Sequence, residues 1–301
     1  MRNINEDTIT QAVLAAMAGC TNQRLRTVVT GLVQHLHSFA REVKLTEAEW
    51  LEGIKFLTAA GHVTDDKRQE FILLSDVLGL SMLVTAQNNA KPDGCTESTV
   101  FGPFFVEGAP KVENGADISN GAKGVPCHVR GQVRSITGEA IPGAIVDVWQ
   151  SDEDGFYDVQ QPDEAGKVEH RARAQLRTDS LGNFHFRSIL AENYPIPHDG
   201  PVGLMLEALG RHPWRPAHLH FMIDAPGYQK LVTHVFRAGD KYLDSDAVFG
   251  VRSSLVAEWV RHAPALDRTT RYTEYYTLDY DFVLNRDEGS KCRFHELDLV
   301  E

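Results

Sequence analysis

The sequence has little cysteine and no long apolar run. Among its 301 residues there are four cysteines, Cys20, Cys95, Cys127 and Cys292, and they form no Cys-x-x-Cys pair. Together with a polar start that shows no signal peptide, this pattern predicts free thiols in a reducing compartment and a cytoplasmic protein. No apolar stretch approaches the roughly 20 residues that a membrane-spanning helix needs, so we expect no membrane span.

Positive charge is also scarce. The chain has 30 Lys and Arg against 42 Asp and Glu, which gives a formal net charge of -12. Because phosphate groups are bound by clustered Lys and Arg, this balance argues against nucleic acid or an anionic membrane as the main partner. The 42% hydrophobic and 24% charged residues are close to an ordinary globular composition, which excludes wholesale disorder and fibrous repeats.

The first ninety or so residues have helical periodicity. From Asn22 to Val43, apolar residues recur every three or four positions, as one buried helical face requires. Thr46 and Glu49 form a capping-box pattern that predicts the start of a second helix, which we expect to end near Gly61. A third pattern runs from Asp65 to Gln87. We therefore predict a helical region over residues 1–95, which packs on the next domain or on a second subunit.

The pattern changes near Asn88, after which Gly and Pro separate short runs rich in Val, Ile and aromatic residues. Such spacing is typical of an antiparallel β-sandwich. The sequence thus predicts a mainly β protein with a helical N-terminal region, and a β-sandwich catalytic domain over residues 96–301. We expect a final strand pair or edge extension from Tyr272 to Leu284. The other predicted strands are His128–Ser135, Ala144–Gln150, Gly182–Ile189, His218–Asp224 and Leu231–Arg237.

Two histidines stand out because of their spacing. His218 and His220 are two residues apart in a predicted strand, so both side chains project from the same face. Two imidazoles on one rigid face make half of a metal site, although a His-x-His pair can equally be structural. The absence of a nearby Cys or carboxylate in a comparable context argues against a structural zinc site.

Two tyrosines are candidates for the other half. Tyr157 lies where a predicted strand runs into an Asp/Gly turn, and Tyr194 lies in a loop stiffened by Pro195 and Pro197. Either tyrosine could be a packing aromatic with a satisfied hydroxyl. As ligands, two phenolates and two neutral imidazoles would favour a hard trivalent ion over copper or zinc. Spacing alone does not assemble these four residues into one site.

Several longer motifs resemble the intradiol ring-cleaving dioxygenases. They are IPGAIVDVWQSDEDGFYD (141–158), RTDSLGNFHFRSI (177–189), YPIPHDGPVG (194–203) and GRHPWRPAHLHF (210–221). TESTVFGPFF (96–105) and ILLSDVLGLSMLV (72–84) extend the similarity over nearly the whole chain. Within the family, GRHPWRPAHLHF and VTHVFRAGDKYLDSDAVFGV (232–251) are most similar to the hydroxyquinol 1,2-dioxygenase branch.

The resemblance implies a non-haem Fe(III) enzyme that cleaves a 1,2-dihydroxyaromatic ring between its two hydroxylated carbons with O2. It places Tyr157, Tyr194, His218 and His220 on the four iron ligands. Arg215 matches the residue that supports charge on the bound substrate, although it could instead form a surface salt bridge. The family also implies that Tyr194 leaves the metal and acts as a base, and that the chain is a homodimer through its N-terminal helices. Related enzymes hold a lipid-like molecule between these helices, and the apolar faces here allow one.

The resemblance further implies a ring pocket. One segment departs from many relatives, Arg173 to Leu176, and we expect it to alter only the packing behind the site. His234 stands where catechol enzymes commonly have Gln; it could bind substrate or O2, or be a core histidine. Asp76 lies on an otherwise apolar helical face, so it would need a donor, either a third ring hydroxyl or a protein group. The residues that match the family's pocket are Leu73, Asp76, Val100, Phe101, Gly102, Pro103, Phe104, Ile196 and Pro197.

Three functions are compatible with the sequence. The first is cleavage of hydroxyquinol (benzene-1,2,4-triol) to 3-hydroxy-cis,cis-muconate, which tautomerises to maleylacetate. The second is a catechol or substituted-catechol enzyme of the same family. The third, of a different class, is a non-catalytic β-sandwich with zinc on the His-x-His pair. Phenolate bound to Fe(III) colours a protein red-brown, whereas zinc leaves it colourless, so the bound metal separates the third function from the first two.

Overall fold

The computed structural model describes residues 2–65, 68–264 and 274–287. The described chain divides into two compact units, of which one ends at Ala59 and the other begins at Ala60. Cys292 lies outside the described residues, and so do Tyr272 and Thr273, with which the predicted final strand pair begins.

The first helices follow the predicted periodicity. Their bounds are Ile9–Ala16 (α1), Gln23–Glu42 (α2) and Glu47–Val63 (α3). The capping box is confirmed: the Thr46 N–H donates to Glu49 Oε2 at 2.9 Å, and the Glu49 N–H donates to Thr46 Oγ1 at 3.3 Å. The predicted end at Gly61 is wrong, because α3 continues to Val63. The helix closes at Thr64, whose N–H and hydroxyl donate to the carbonyls of Gly61 and Ala60.

The helix predicted from Asp65 to Gln87 is in fact two helices, Glu70–Val77 (α4) and Leu80–Asn88 (α5). Gly79 separates them with φ +75°, a left-handed conformation that glycine adopts without a steric penalty. The two axes differ by 78°. Among the described helices, no single one is long and apolar enough to cross a membrane, and only this bent pair has the necessary length and composition together.

Twelve strands and one further helix lie in the described part of the second unit. The helix, Pro201–Ala208 (α6), was not predicted. The strands are Pro126–Ser135 (β1), Ile145–Trp149 (β2), Arg173–Arg177 (β3), Asn183–Ile189 (β4), Tyr194–Pro195 (β5), Trp214–Arg215 (β6), His218–Asp224 (β7), Leu231–Arg237 (β8), Val256–Ala257 (β9), Trp259–His262 (β10), Tyr275–Asp279 (β11) and Phe282–Leu284 (β12).

The strands form two five-stranded sheets and a small two-stranded one, β5-β6. One large sheet has the order β3-β2-β7-β8-β9, and the other consists of β10, β11, β1, β12 and β4. The mainly β architecture with N-terminal helices is confirmed, but the sheets are mixed and not purely antiparallel. β1 pairs antiparallel with β4 on one side and parallel with β11 and β12 on the other, and β8 pairs parallel with β9.

The order of the last described strands accounts for the parallel pairing of β1 with β11. β10 and β11 form an antiparallel pair, and this reversal brings β11 alongside β1 in the same direction. The expected edge extension is therefore wrong for β11, which lies between β10 and β1.

The two large sheets face each other across one hydrophobic core. Phe221 of β7 packs against Phe184 of β4 and Phe282 of β12, with ring centroids 6.0 and 4.7 Å apart. Along β7, Leu219, Phe221 and Ile223 all belong to this core. Because side chains alternate along a strand, the residues between them face away from the core, and His218 and His220 are among these.

The Gly131→Ala variant should be markedly less stable, because a Cβ at this β1 position would lie 1.8 Å from the Tyr280 carbonyl oxygen and 2.9 Å from the Phe184 ring. Overpacking of this kind costs about 3 kcal/mol. The denaturation midpoint in guanidinium chloride measures the effect. Gly61→Ala is the matched control, since nothing lies within 4 Å of its Cβ position. Equal midpoints for the two variants would contradict the close approach at Gly131.

Candidate metal centre

The outer face of β7 presents two imidazoles. His218 is 2% and His220 1% exposed. The Nδ1 atom of His218 lies 2.7 Å from the Pro216 carbonyl oxygen and donates to it, so the ring lone pair is on Nε2. The two Nε2 atoms lie 3.1 Å apart. At this distance the two nitrogens can share one ring hydrogen, and without that hydrogen their lone pairs can face a common cation.

Two tyrosines arrive at the same point from separate loops. Tyr157 follows β2, and its N–H donates to Gln160 Oε1 at 2.9 Å in a short 3-10 turn. Tyr194 opens β5 and pairs in register with Arg215 of β6. The two hydroxyl oxygens lie 3.1 Å apart, and the Tyr157 hydroxyl lies 2.8 Å from His220 Nε2. The structure therefore brings together all four residues that the resemblance places on the metal.

These four atoms have the spacing of neighbouring ligands on one ion. Protein nitrogen and oxygen ligands lie about 2.0–2.2 Å from a transition-metal ion such as zinc, which puts adjacent donors about 3 Å apart. The observed separations of 2.8–3.1 Å agree with this value. A donor set of hard oxygen atoms and imidazole nitrogens suits iron better than a set of softer thiolate ligands would. The residues thus fit the non-haem iron of the family in donor type and in spacing.

Burial controls protonation at the cluster. It lowers the pKa of His218 to about 3, helped by the charge of Arg215, so the ring is neutral and can act as a ligand. For the same reason the pKa of His220 lies well below its usual range. Burial and the neighbouring Tyr194 raise the pKa of Tyr157 well above its ordinary value. A bound cation reverses this last preference, because its charge stabilises the phenolate.

Arg215 lies beside the four donors in a buried ion pair. Its Nε atom lies 3.0 Å from Asp246 Oδ1, and the two side chains are 4% and 2% exposed. Its Nη1 atom lies 3.3 Å from His218 Nε2. Burial lowers the pKa of Arg215, but the charge and hydrogen bond of Asp246, together with the oxygens of Tyr194 and Tyr157, outweigh burial and raise the pKa above its ordinary value. The alternative of a surface salt bridge is wrong, because this pair is buried at the cluster.

His234 adds a third imidazole. It pairs in register with His220 across β7 and β8, and it is completely buried. One ring nitrogen from each of His218, His220 and His234 lies within 4.8 Å of the others. Nδ1 of His234 lies 3.5 Å from Arg215 Nη2, and its Nε2 has no hydrogen-bond partner among the described residues. A buried nitrogen without a partner can form a hydrogen bond with a ligand that enters the site.

Some predicted pocket residues contact the cluster directly. The Phe104 ring stacks on the Tyr157 ring, with centroids 4.4 Å apart. Gly102 has φ +78°, and a Cβ there would lie 3.3 Å from His220 Cε1. Leu73, Val100 and Ile196 are buried, Pro197 is half-buried, and Phe101 and Pro103 are exposed; their place in a ring pocket stays a prediction.

Asp76 is a buried carboxylate on α4, 5% exposed. Burial raises its pKa, whereas a hydrogen bond from Ser81 and the charge of Arg215 act in the opposite direction. Ser81, whose hydroxyl oxygen also lies 2.9 Å from that of Ser75, is therefore one protein group that acts on this carboxylate. A carboxylate accepts several hydrogen bonds, so one from Ser81 leaves capacity for another donor.

Several residues that contact and orient the cluster were not predicted from the sequence. The Trp149 indole stacks on the His220 ring, with centroids 4.7 Å apart and an interplanar angle of 16°. Asp246 holds Arg215, and Asp158 holds the buried Arg173 beside Tyr157. The only signal available for the two acids was the rule that a buried charge needs a partner, and this rule does not say which residue it is.

Comparison with known proteins is consistent with this geometry. The family model described as "Dioxygenase" matches residues 100–286, and the one described as "Catechol dioxygenase N terminus" matches residues 22–96. The 6-chlorohydroxyquinol 1,2-dioxygenase of Cupriavidus pinatubonensis is 60% identical over 95% of this chain and 99% of its own. The hydroxyquinol 1,2-dioxygenase of Nocardioides simplex is 53% identical over 85% of this chain and 86% of its own.

A solved structure shares the fold. The hydroxyquinol 1,2-dioxygenase of Pseudomonas putida DLL-E4 superposes with a TM-score of 0.85 at 47% identity, covering 94% of this chain and 99% of that one. The match extends over both regions of the chain, and the four candidate ligand residues lie within the part that the larger family model covers. The chain therefore belongs to the intradiol ring-cleavage dioxygenase family.

Proposed function

We propose that this protein cleaves hydroxyquinol with O2 between its two adjacent hydroxylated carbons, which gives 3-hydroxy-cis,cis-muconate and its tautomer maleylacetate in aromatic catabolism. The observation that carries the proposal is the convergence of two tyrosine hydroxyls and two imidazole Nε2 atoms beside a buried arginine. The names of the relatives at 53–60% identity support hydroxyquinol as the substrate class.

We infer that the metal is Fe(III), held by Tyr157, Tyr194, His218 and His220. Two phenolates support this oxidation state because their negative charge stabilises ferric over ferrous iron. Iron held by these four residues would supply the Lewis-acid and redox chemistry that makes a dihydroxylated ring reactive towards O2.

The residues around the metal would handle protons and charge. A catechol-type substrate must lose two protons to chelate, and we assign one of them to the Tyr194 oxygen. This oxygen lies 3.1 Å from the Tyr157 oxygen. Arg215 stays charged at any working pH, because its surroundings, Asp246 foremost among the groups that raise it, keep its pKa above an already high ordinary value. Its guanidinium would stabilise the negative charge that develops on the ring.

We assign the ring pocket to residues from α4, from the loop before β1 and from the loop after β5. The third ring hydroxyl would donate to Asp76, and His234 would contact the substrate or O2 through a ring nitrogen. The apolar wall would consist of Leu73, Val100, Phe101, Gly102, Pro103, Phe104, Ile196 and Pro197.

The same proposal covers domain organisation and location. We place the boundary between the helical and catalytic regions at residue 95, supported by the family models, which meet between residues 96 and 100. A cytoplasmic location is supported by the free thiols of Cys20, Cys95 and Cys127.

Oxygen uptake by the iron-loaded protein tests the reaction. Hydroxyquinol should be consumed rapidly, after correction for autoxidation, and catechol much more slowly, because the catechol ring leaves Asp76 without its donor. Comparable or faster uptake with catechol would move the enzyme to the catechol branch. A colourless protein that contains zinc and takes up no oxygen would contradict the ferric site altogether.

The Asp76→Ala variant tests the selectivity. A hydrogen bond to a charged group contributes about 2 kcal/mol, so kcat/KM for hydroxyquinol should fall about 30-fold with little change for catechol. Glu70→Ala is the matched control, since Glu70 is also buried on α4 but accepts from Arg68 and the Val202 N–H. It should leave the ratio of the two substrates unchanged. An unchanged ratio in Asp76→Ala would show that Asp76 does not select the triol.

We also propose a homodimer through the N-terminal helices, whose apolar faces have room for a lipid-like molecule between them. In support, α2 and α3 expose large apolar side chains, among them Leu32 at 55%, Leu36 at 54% and Trp50 at 57%. The mass in solution should be twice the 33.5 kDa of one chain. Leu36→Asp should shift it to one chain, and Gln34→Asp, at an exposed polar position of α2, should not. A monomeric wild-type protein would contradict the dimer.

A further inference from the structure

A second buried ion pair lies next to the metal cluster. Arg173 is the first residue of β3, and its side chain and that of Asp158 are 2% and 1% exposed. The Arg173 Nε atom donates to both carboxylate oxygens of Asp158, at 2.8 and 3.1 Å, and its Nη2 donates to Oδ1 at 2.6 Å. The guanidinium thus hydrogen-bonds to one carboxylate through two of its nitrogens.

The same guanidinium holds a second segment. Its Nη2 donates to the Phe104 carbonyl oxygen at 2.8 Å. Phe104 stacks on the Tyr157 ring, and Asp158 follows Tyr157 directly in the chain. One side chain of β3 therefore fixes both the backbone that carries Tyr157 and the backbone that carries the ring stacked on it.

Asp158 is held from other directions as well. The His170 Nδ1 atom lies 3.0 Å from Asp158 Oδ2, and the Val159 N–H donates to Oδ1 at 2.9 Å. Arg173 offers a geometry that Lys does not reproduce, because a planar guanidinium can bind a carboxylate and a carbonyl simultaneously. A buried ion pair is not in itself strongly stabilising, since apolar residues of similar volume often serve a fold as well. A role in position and charge explains the pair better than stability does.

The charges also act on the Tyr157 oxygen. The positively charged Arg173 guanidinium binds the carboxylate of Asp158, the residue after Tyr157, and the carbonyl of Phe104, whose ring stacks on that of Tyr157. A positive charge held close to a phenol favours its negatively charged form. Arg173 thus favours negative charge on this oxygen from the side of β3, and the carboxylate of Asp158 partly cancels its effect.

We propose that Arg173 is a positioning residue, which fixes Tyr157 and the Phe104 segment relative to each other and, together with Asp158, sets the electrostatic potential at the Tyr157 oxygen. The inference rests on the proposed function, since it assumes that Tyr157 is a ligand of ferric iron. It extends that function to a pair of residues that contact neither metal nor substrate.

The test compares Arg173→Lys with Asp158→Asn in the iron-loaded full-length protein. The main readout is the wavelength of the visible band that arises from charge transfer from phenolate to iron. Arg173→Lys draws positive charge away from Tyr157, so the phenolate electrons become easier to transfer and the band should move to longer wavelength. Asp158→Asn leaves the charge of Arg173 uncompensated, so the band should move to shorter wavelength.

Activity and metal retention are measured on the same samples. Both variants should lose about 10- to 100-fold in kcat/KM for hydroxyquinol, because small displacements of reacting groups cost about that much. Both should also release iron to a chelator faster than the wild type does. Arg261→Lys is the matched control, since Arg261 of β10 also grips a carboxylate with two nitrogens, that of Glu274, but on the other sheet. It should change none of these readouts.

A structural role alone predicts different results. Folded variants with the wild-type band and wild-type kcat/KM would overturn the inference, and so would band shifts in the same direction for both variants. If Arg173→Lys does not fold, Asp158→Asn decides by itself, because it keeps the shape of the side chain. A wild-type protein that binds iron without a visible band would instead overturn the proposed ligand set, and with it this inference, before any variant is compared.

Discussion

The alternation of side chains along β7 is the constraint on which the site depends. Leu219, Phe221 and Ile223 are committed to the core between the two sheets, so His218 and His220 must project from the opposite face. Neighbouring strands then bring their own side chains into register with His220, Trp149 from β2 and His234 from β8. The rigid sandwich thus holds two imidazoles in a fixed orientation, and the loops need only supply the oxygen donors and cover the outer face.

Two buried ion pairs surround this face, and each holds a different part of the site. Asp246 holds Arg215, whose guanidinium reaches His218. Asp158 holds Arg173, whose guanidinium reaches the Phe104 carbonyl. In both pairs the removal of one partner would leave an uncompensated buried charge, which is far more costly than removal of both. Asp246 and Asp158 are therefore as important to the site as the two arginines, although neither carboxylate contacts the four donor atoms.

Local sequence patterns predicted the bounds of the main strands well, but not which strands pair or in which direction. The bounds of β7 and β8 agree with the prediction, and those of β1, β2 and β4 differ from it by one or two residues, because period-two alternation is a property of the strand itself. The direction of β11 was missed, since a strand carries no local sign of whether its neighbour runs parallel. The break at Gly79 was missed as well, because the apolar periodicity continues across it and a single glycine is tolerated in many helices.

The donor types, the shared face of His218 and His220, and the family could all be predicted without a structure, because they depend on residue identity, on spacing along one strand and on long motifs. Which residues meet in space is visible only in the folded chain. The Tyr157 hydroxyl reaches Tyr194 across 37 residues and His220 across 63, and Arg215 finds Asp246 across 31. Such contacts depend on how the chain returns through loops between strands, and no local periodicity encodes that path. The partners of buried charges are therefore visible only in the folded molecule.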